Sequence, residues 1–221
     1  MGILKKYLLG KIRNLVFLEF QKQKNQNDIA GATIHPTANI IGAVIHGNVS
    51  IFEGVTIDKC VIAGNDIKIG RYTSINGPNT TVYAEVNRIE IGNFCSIARN
   101  VDIQEWNHPI NKLSTSMIGS NLFGLSTRNE MESKGPIIIG HDVWIGAQSV
   151  ILSGVKIGNG AVIGANSVVS SDIPAFAIAV GNPARVIKYR FDEKRQIEIN
   201  KMKWWDWEIH KIIKNCDLFG L

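Results

Sequence analysis

A histidine lies in the stretch QEWNHPINKLSTSMIG, residues 104–119, among polar and aromatic residues. Histidine exchanges protons near neutral pH because its ordinary pKa is near 6.5. A base that removes the proton of a hydroxyl nucleophile accelerates its attack by roughly 10²–10⁴-fold. His108 is therefore a candidate general base, and Asp102, Glu105 and backbone carbonyls are candidates for orienting its ring. The alternative is a loop histidine held in place by Pro109.

This histidine falls where a regular repeat is interrupted. From Ile139 onward an aliphatic residue recurs every six positions, and glycine or another small residue follows most of them. The aliphatic positions are Ile139, Ile145, Ile151, Ile157, Ile163 and Val169, and earlier Ile91, Ile97 and Ile103. Between Ile103 and Ile139 lie 35 residues that break the pattern, yet the repeat resumes at a multiple of six. A long irregular segment inside a compact repeat is usually functional.

A period of six fits neither a helix nor simple strand alternation. It predicts a coil with three short flat sides, in which the aliphatic residue points inward and the small residue turns each corner at positive φ. Successive coils then stack as parallel strands. Residues 34–181 without the interruption make roughly six such coils by this repeat logic. Packing three rods side by side would bury their flat outer faces.

The expected organisation is all-β with helical ends. Residues 1–28 are predicted to form a basic amphipathic helix, residues 29–183 a β-helix with an excursion loop at 104–138, and residues 184–221 a C-terminal helical cap. Residues 1–24 carry a net charge of +5 and the remaining chain sums to zero. The basic pI therefore does not indicate a nucleic-acid partner. The N-terminal helix either packs on protein or contacts an anionic membrane surface.

The cysteines and histidines exclude several other classes of protein. The three cysteines are odd in number and far apart, which predicts no disulfide framework and favours a reducing cytoplasm. No apolar run reaches the roughly 18 residues that span a bilayer. The five histidines form no closely spaced pair of the kind that zinc enzymes with this type of fold need, so no metal is predicted.

Longer motifs identify a family by resemblance. The stretch GHDVWIGAQSVILSGVKIGNGAVIGANSVVSSDIPAFAIAVGNPARVIKYRF resembles the hexapeptide-repeat acyltransferases, which form a left-handed parallel β-helix. The NLFG of the loop and the tail KMKWWDWEIHKI resemble the xenobiotic acetyltransferase branch, which includes streptogramin A and chloramphenicol acetyltransferases. The resemblance covers about residues 34–221. It implies an acetyl-CoA-dependent homotrimer whose active sites lie in clefts between neighbouring rods.

The resemblance also implies roles for particular residues. His108 would deprotonate the acceptor, and Asn79, Trp106 and Asn107 would line the acceptor side. For Asn79 the alternative is a turn residue beside Pro78. The residues implied on the acetyl-CoA side are Trp144 along the pantetheine arm, Gly146, Ala147, Gly164 and Ala165 at close backbone approach, and Arg185 at the 3′-phosphate. Relatives often carry a lysine near residues 170–171, where this chain has serines.

The predicted function is transfer of an acetyl group from acetyl-CoA to a hydroxyl of a sugar, glycan or polysaccharide precursor. The predicted location is the cytoplasm, with the inner face of the membrane as an alternative. Three other functions stay open at this point: an antibiotic-inactivating O-acetyltransferase acting on streptogramin A or chloramphenicol, an amino-sugar N-acetyltransferase, and an inert scaffold.

Overall fold

The computed structural model describes residues 26–220, which form a triangular β-solenoid followed by a helical segment. Every strand pairing in this part is parallel except the last, between β16 and β17. The strands are β1 (Asp28–Ala30), β2 (Thr33–Ile34), β3 (Asn39–Ile41), β4 (Val44–Ile51), β5 (Thr56–Ile69), β6 (Ser74–Ala84), β7 (Ile89–Ile91), β8 (Ser96–Ile97), β9 (Asp102–Gln104), β10 (Ile137–Ile139), β11 (Trp144–Ile145), β12 (Val150–Ile151), β13 (Lys156–Ile157), β14 (Val162–Ile163), β15 (Val168–Val169), β16 (Ala177–Val180) and β17 (Arg185–Tyr189). The predicted left-handed parallel β-helix is confirmed.

Three flat faces run along the rod, each a ladder of stacked residues. Face A contains Ile34, Ile51, Ile69, Ile91, Ile139, Ile157 and Ile173. Face B contains Ile40, Ile57, Ile75, Ile97, Ile145, Ile163 and Ala179. Face C contains Ile29, Ile45, Ile62, Val82, Ile103, Ile151 and Val169. Each ladder has seven levels, one more than the sequence predicts.

The core is the stack of inward aliphatic side chains. Away from the first coil these residues are buried, and they form one continuous cluster along the rod. The chain passes from face A to B to C and then to the next coil, so we name the corners AB, BC and CA. Hexapeptide spacing places one aliphatic residue inside every face because six residues span one side and one corner.

The glycines after the inward residues have a different role from the one predicted. Gly146 and Gly158 do not have positive φ. A Cβ on Gly146 would lie 2.5 Å from the backbone nitrogen of Ala165, and one on Gly158 would lie 2.4 Å from that of Ala175. These glycines therefore permit close stacking of the next coil. The left-handed corner residues lie two positions later and are mostly not glycine: Tyr72, Asn79, Phe94, Asn100, Asp142, Gln148, Asn166 and Phe176.

The excursion leaves and re-enters the rod at corner CA. Strand β9 ends at Gln104 and β10 begins at Ile137. Ile91 pairs with Ile139, and Ile103 pairs with Ile151, so the coils before and after the excursion stack directly on one another. The excursion carries helix α1 (Ile118–Phe123) and a 3-10 turn at Thr127–Glu130. The register predicted from the sequence is therefore kept.

A ladder of side chains stabilises corner AB. The Oδ1 of Asn93 accepts from the backbone N–H of Arg71 at 3.1 Å, and the Oδ1 of Asn159 accepts from His141 N–H at 2.9 Å. Between these two levels, the Nδ1 of His141 accepts from Asn93 N–H at 2.9 Å. His141 thus takes an asparagine's place in the ladder. Burial lowers the pKa of its imidazole below the ordinary value, which Asp206 opposes.

The C-terminal segment lies along corner AB and not only across the end of the rod. It contains α2 (Glu193–Met202), α3 (Ile209–Lys214) and 3-10 turns at Trp204–Asp206 and Cys216–Phe219. The first three residues of the WWDW motif form the 3-10 turn at Trp204–Asp206. Trp205 is buried and stacks on His141 with ring centroids 5.4 Å apart. Its carbonyl accepts from Arg71 and Asn93, each at 3.1 Å.

The predicted N-terminal helix lies almost wholly outside the described residues. Its last position, Asp28, is the first residue of β1. None of the helices between residues 26 and 220 has the length and hydropathy that spanning a bilayer requires.

Candidate active site

His108 lies at the base of the excursion, where the chain has just left face C. Its side chain is exposed, whereas the neighbouring Pro109 is buried and fixes the backbone beside it. The imidazole contacts the ring of Trp106 edge-on, with centroids 5.4 Å apart. Within residues 26–220 no side chain or carbonyl forms a hydrogen bond to the His108 ring. An exposed imidazole held at a fixed position is suited to accept a proton from a bound hydroxyl.

A cleft of about 330 Å³ opens beside this histidine. It is bounded on one side by the excursion and on the other by residues of the rod at corner CA. The lining residues are Asn107, His108, Ile110, Glu132, Lys134, Leu152, Ser153 and Ser170. The cleft therefore extends from His108 toward the C-terminal coils. Its wall includes Ser170, one of the two serines that stand where relatives often carry a lysine.

The two ends of the excursion are joined by a short antiparallel bridge next to His108. Asn107 N–H donates to the Glu132 carbonyl at 2.7 Å, and Glu132 N–H donates to the Asn107 carbonyl at 2.8 Å. The backbone of Asn107 is thus used to close the loop, while its residue also lines the cleft. This bridge restricts the movement of the backbone next to His108.

Glu105 anchors the excursion and was missed by sequence reasoning in this role. It is fully buried, and its Oε2 accepts from the backbone N–H groups of Glu85 at 3.2 Å and Val86 at 2.9 Å. Its Oε1 accepts from the hydroxyl of Ser133 at the return of the loop. The Ser133 oxygen lies 3.1 Å from that of Ser153 in the cleft wall. Glu105 therefore links both ends of the excursion to the preceding coil.

The candidates for orienting His108 are thus engaged elsewhere. The carboxylate of Glu105 is bound to Glu85, Val86 and Ser133. The carboxylate of Asp102 accepts from the hydroxyl of Thr81. Neither forms a hydrogen bond to the imidazole, so ring position is set here by the contact with Trp106.

The returning half of the excursion also binds the preceding coil at Glu85 and Val86. Arg128 donates from Nη1 to the carbonyl of Glu85 at 2.9 Å and from Nη2 to that of Val86 at 3.0 Å. The N–H groups of these two residues are bound by Glu105, and their carbonyls are bound by Arg128. The loop is therefore fastened to one dipeptide from both directions.

Inside the excursion, Glu130 accepts from the backbone N–H of Gly119 at 2.6 Å and of Ser120 at 2.7 Å, at the start of α1. Desolvation opposes ionisation of this carboxyl, but the N–H donors outweigh it and hold its pKa below the ordinary value. The beginning of α1 is thereby fixed. The tip itself exposes large apolar side chains, among them Leu113, Leu122 and Phe123.

The residues expected to hold acetyl-CoA lie on another part of the rod. Trp144 projects from face B beside the inward Ile145, and 56% of it is exposed. The remaining residues lie at corner BC in successive coils: Gly146 and Ala147, then Gly164 and Ala165, with Arg185 at the start of β17. These expected residues therefore form one continuous strip along face B and corner BC.

Within one rod, this strip does not come close to His108. In a triangular prism the corner CA, where His108 lies, is opposite face B, where Trp144 lies. Asn79 lies at corner BC, at the other edge of face C from His108, and its Nδ2 donates to Asn100 at 3.1 Å. Arg185 is exposed, and its Nη1 donates to the carbonyl of Ala184. His108 and the residues expected to hold acetyl-CoA therefore lie on opposite sides of one rod.

Other reactive side chains in the described part of the chain do not form a second catalytic centre. Cys60 and Cys95 are buried, and burial raises the pKa of each thiol to about 12, so neither is a thiolate at neutral pH. Among residues 26–220 no group of three or more His, Cys, Asp or Glu side chains is placed to hold a metal ion.

Comparisons with known proteins agree with this architecture. The family profile described as "Bacterial transferase hexapeptide (six repeats)" matches residues 136–171. The chloramphenicol acetyltransferase of Klebsiella aerogenes is 32% identical over 186 residues, which cover 74% of this chain and 86% of that protein. The probable macrolide acetyltransferase of Lysinibacillus sphaericus is 36% identical over 140 residues, covering 60% of this chain and 77% of that protein.

A solved structure extends the comparison. A mutant of the N-acyltransferase AntD from Bacillus cereus, in complex with dTDP and coenzyme A, has a TM-score of 0.53 and 27% identity, covering 84% of this chain and 95% of that one. The stacked hexapeptide coils and these matches place the chain in the class of hexapeptide-repeat transferases. The chain belongs to the family of hexapeptide-repeat acetyltransferases.

Proposed function

We propose that the protein transfers an acetyl group from acetyl-CoA to a hydroxyl of a sugar, glycan or polysaccharide precursor, with His108 as general base. One observation carries the proposal: an exposed imidazole, fixed beside Trp106, forms part of the wall of a cleft of about 330 Å³. The coenzyme A bound to AntD supports an acyl-CoA co-substrate, and the dTDP-4-amino-4,6-dideoxyglucose in another AntD complex supports a sugar-related acceptor.

The chemistry follows from the placement of the base. His108 removes the proton from the acceptor hydroxyl as its oxygen attacks the thioester carbonyl. The carbon–sulfur bond then breaks, and the imidazolium of His108 donates this proton to the coenzyme A thiolate. The products are an acetyl ester and free coenzyme A. The protein needs no covalent intermediate for this direct transfer.

We propose a homotrimer in which each site lies between two rods. The acceptor side consists of His108, Trp106 and Asn107 of one protomer. Trp144 and the strip at corner BC of a neighbouring protomer hold acetyl-CoA: Gly146, Ala147, Gly164, Ala165 and Arg185. This arrangement is supported by the prism geometry, since corner CA and face B of one rod point in opposite directions. Asn79 joins the acceptor side from the far edge of face C.

A second candidate is acetylation of chloramphenicol or a related antibiotic. It is favoured by the 32% identity to the Klebsiella aerogenes enzyme over most of both chains. The same base and the same co-substrate serve either acceptor, because both present an alcohol. Transfer to an amino sugar differs only in the nucleophile, and an AntD structure contains dTDP-4-amino-4,6-dideoxyglucose together with coenzyme A.

The test is release of free thiol from acetyl-CoA with a panel of acceptors. The panel holds simple sugars, nucleotide sugars, amino sugars, bacterial glycans, chloramphenicol and a streptogramin A. His108→Ala is expected to lose at least about 100-fold in turnover while acetyl-CoA binding, measured by calorimetry, is kept. The matched control is His210→Ala, an exposed histidine on α3.

Two results would contradict the proposal. If His108→Ala keeps the turnover of the wild type, His108 is not the general base. Turnover only with an antibiotic moves the protein to the second candidate. The cytoplasmic location and the contact of residues 1–24 with an anionic membrane stay predictions, and vesicle binding of the full chain tests the latter.

A further inference from the structure

A second hollow lies on face C, on the N-terminal side of Trp106. It has a volume of about 280 Å³, and its lining includes Val61, Thr81, Tyr83, Asp102, Gln104 and Trp106. Drug-sized ligands occupy pockets of roughly 300–1,000 Å³, so a hollow of this size suits a single ring. Trp106 belongs to this hollow and also contacts His108, so it separates the hollow from the cleft of the base.

The apolar part of the hollow consists mainly of two aromatic side chains. The rings of Tyr83 and Trp106 are 6.2 Å apart at an interplanar angle of 57°, so they form two inclined walls and not a flat stack. Tyr83 is 38% exposed and Val61 is 43% exposed, so both present apolar surface to solvent in this hollow. Aromatic rings of this kind accept the C–H face of a ligand ring and gain from its burial.

The polar part comes from neighbouring strands on the same face. Asp102 accepts one hydrogen bond from Thr81, yet an ionised carboxylate has about four acceptor positions. Gln104 uses one amide N–H to donate to the carbonyl of Trp106 at 3.0 Å, and its side chain retains a second donor and a carbonyl acceptor. Donors and acceptors thus stand beside an apolar wall, which is the pattern that hydroxylated rings require.

The charge of the hollow narrows the ligand class further. Its one ionisable carboxyl is Asp102, and its lining includes no lysine or arginine. Like charges repel strongly in a partly desolvated site, so a phosphate or a sugar carboxylate is disfavoured there. A neutral ring with several hydroxyls satisfies both the aromatic and the polar parts.

We propose that this hollow is a subsite for one uncharged pyranose ring of the acceptor, held by Tyr83 and Trp106 and oriented by Asp102 and Gln104. The subsite rests on the proposed function, since it places the neighbouring hydroxyl of the same glycan at His108. Nucleotide or phosphate groups of the acceptor then lie outside the hollow.

The experiment measures binding and turnover separately. Saturation-transfer NMR with methyl pyranosides gives binding to the full chain without any reaction, and thiol release gives KM and kcat. Tyr83→Ala is expected to weaken methyl pyranoside binding and to raise its KM about tenfold or more, with kcat and acetyl-CoA binding kept. Tyr83→Phe keeps the ring and is expected to retain binding. Tyr189→Ala, another exposed tyrosine on the rod, is the matched control.

The prediction that the bound ring carries no charge is tested with a uronic acid glycoside that otherwise has the same pyranose ring. It is expected to bind more weakly than the neutral glycoside in the wild type, and Asp102→Asn is expected to narrow that difference. Equal binding of the two glycosides overturns the assignment of ligand charge.

The remaining outcomes distinguish the subsite from the proposed function. Acetylation of sugars with an unchanged KM in Tyr83→Ala leaves the function standing and overturns the subsite. Absence of any pyranoside binding or acetylation, with chloramphenicol turned over, overturns both. A change in oligomeric state of Tyr83→Ala, measured by light scattering, together with retained sugar binding assigns the hollow to an interface between copies and also overturns the subsite.

Discussion

Replacing Glu105 tests whether one buried carboxylate holds the base in place. In Glu105→Ala the backbone N–H groups of Glu85 and Val86 lose their acceptor in a partly buried environment. A buried donor left without a partner costs about 1–3 kcal/mol, so these two partly buried donors predict a loss of up to about 6 kcal/mol in the free energy that fastens the excursion. Ser133 loses one partner but keeps Ser153.

Glu105→Gln separates shape from charge. Its amide oxygen can still accept from Glu85 and Val86, and its NH₂ group can donate to Ser133. Hydrogen bonds to a charged group are worth about 1.5–3 kcal/mol and neutral ones about 0.5–1.5 kcal/mol, so a smaller loss of about 1–3 kcal/mol is expected in total. The predicted order of stability is wild type, then the glutamine variant, then the alanine variant.

Two measurements check this order. Hydrogen exchange reads the Glu85 and Val86 amides directly, and their protection is expected to fall most in Glu105→Ala. Turnover is expected to fall about 100-fold in that variant, because a displacement of about 1 Å at a catalytic group has an effect of this size. Binding of acetyl-CoA is expected to stay near wild type, since its proposed residues lie on face B and corner BC. Glu193→Gln, an exposed acid at the start of α2, is the control.

The reasoning fails in a defined way. If Glu105→Ala keeps both the amide protection and the turnover of the wild type, the carboxylate does not position the loop. If protection falls while turnover is unchanged, the anchor is real but has no influence on His108.

Two further predictions concern the rod. Gly158→Ala is expected to lower the stability by about 1–3 kcal/mol in thermal unfolding, because the added Cβ meets the next coil at 2.4 Å; an unchanged midpoint would refute the close-stacking role of this glycine. The lowered pKa of His141 means that the unfolded chain binds the proton more readily, so stability is complete above about pH 6.5 and is lost as pH falls below that value. His141→Asn keeps an acceptor for Asn93 N–H and is expected to remove this part of the pH dependence in urea unfolding, whereas an unchanged pH profile would assign it to other groups.

The repeat was predictable because the inside of each face accepts only aliphatic side chains. Ile139 to Val169 recur at six without exception, and that spacing specifies the faces and the register across the excursion. The first coils are less regular: Ile69 pairs with Ile91, which is 22 residues later and not 18. A strict period therefore does not give the register of these first coils.

The anchors of the candidate site were not predictable, for a different reason. Glu105 binds backbone groups of Glu85 and Val86, and backbone groups leave no trace in residue type. His141 stands in an asparagine ladder that becomes visible only when coils are superposed. The C-terminal aromatic residues gave a motif, but the corner against which Trp205 packs follows from the coil geometry.

The excursion is an addition to the solenoid and not a part of its frame. Ile97 and Ile145 stack as neighbours although 48 residues separate them, which is 30 more than the 18 between Ile145 and Ile163. A corner of ordinary length would close the same gap without shifting any other coil. The rod and the excursion can therefore change independently during evolution. A lineage can therefore replace the excursion, which carries the proposed acceptor residues, while it keeps the strip on face B and corner BC that is proposed to hold acetyl-CoA.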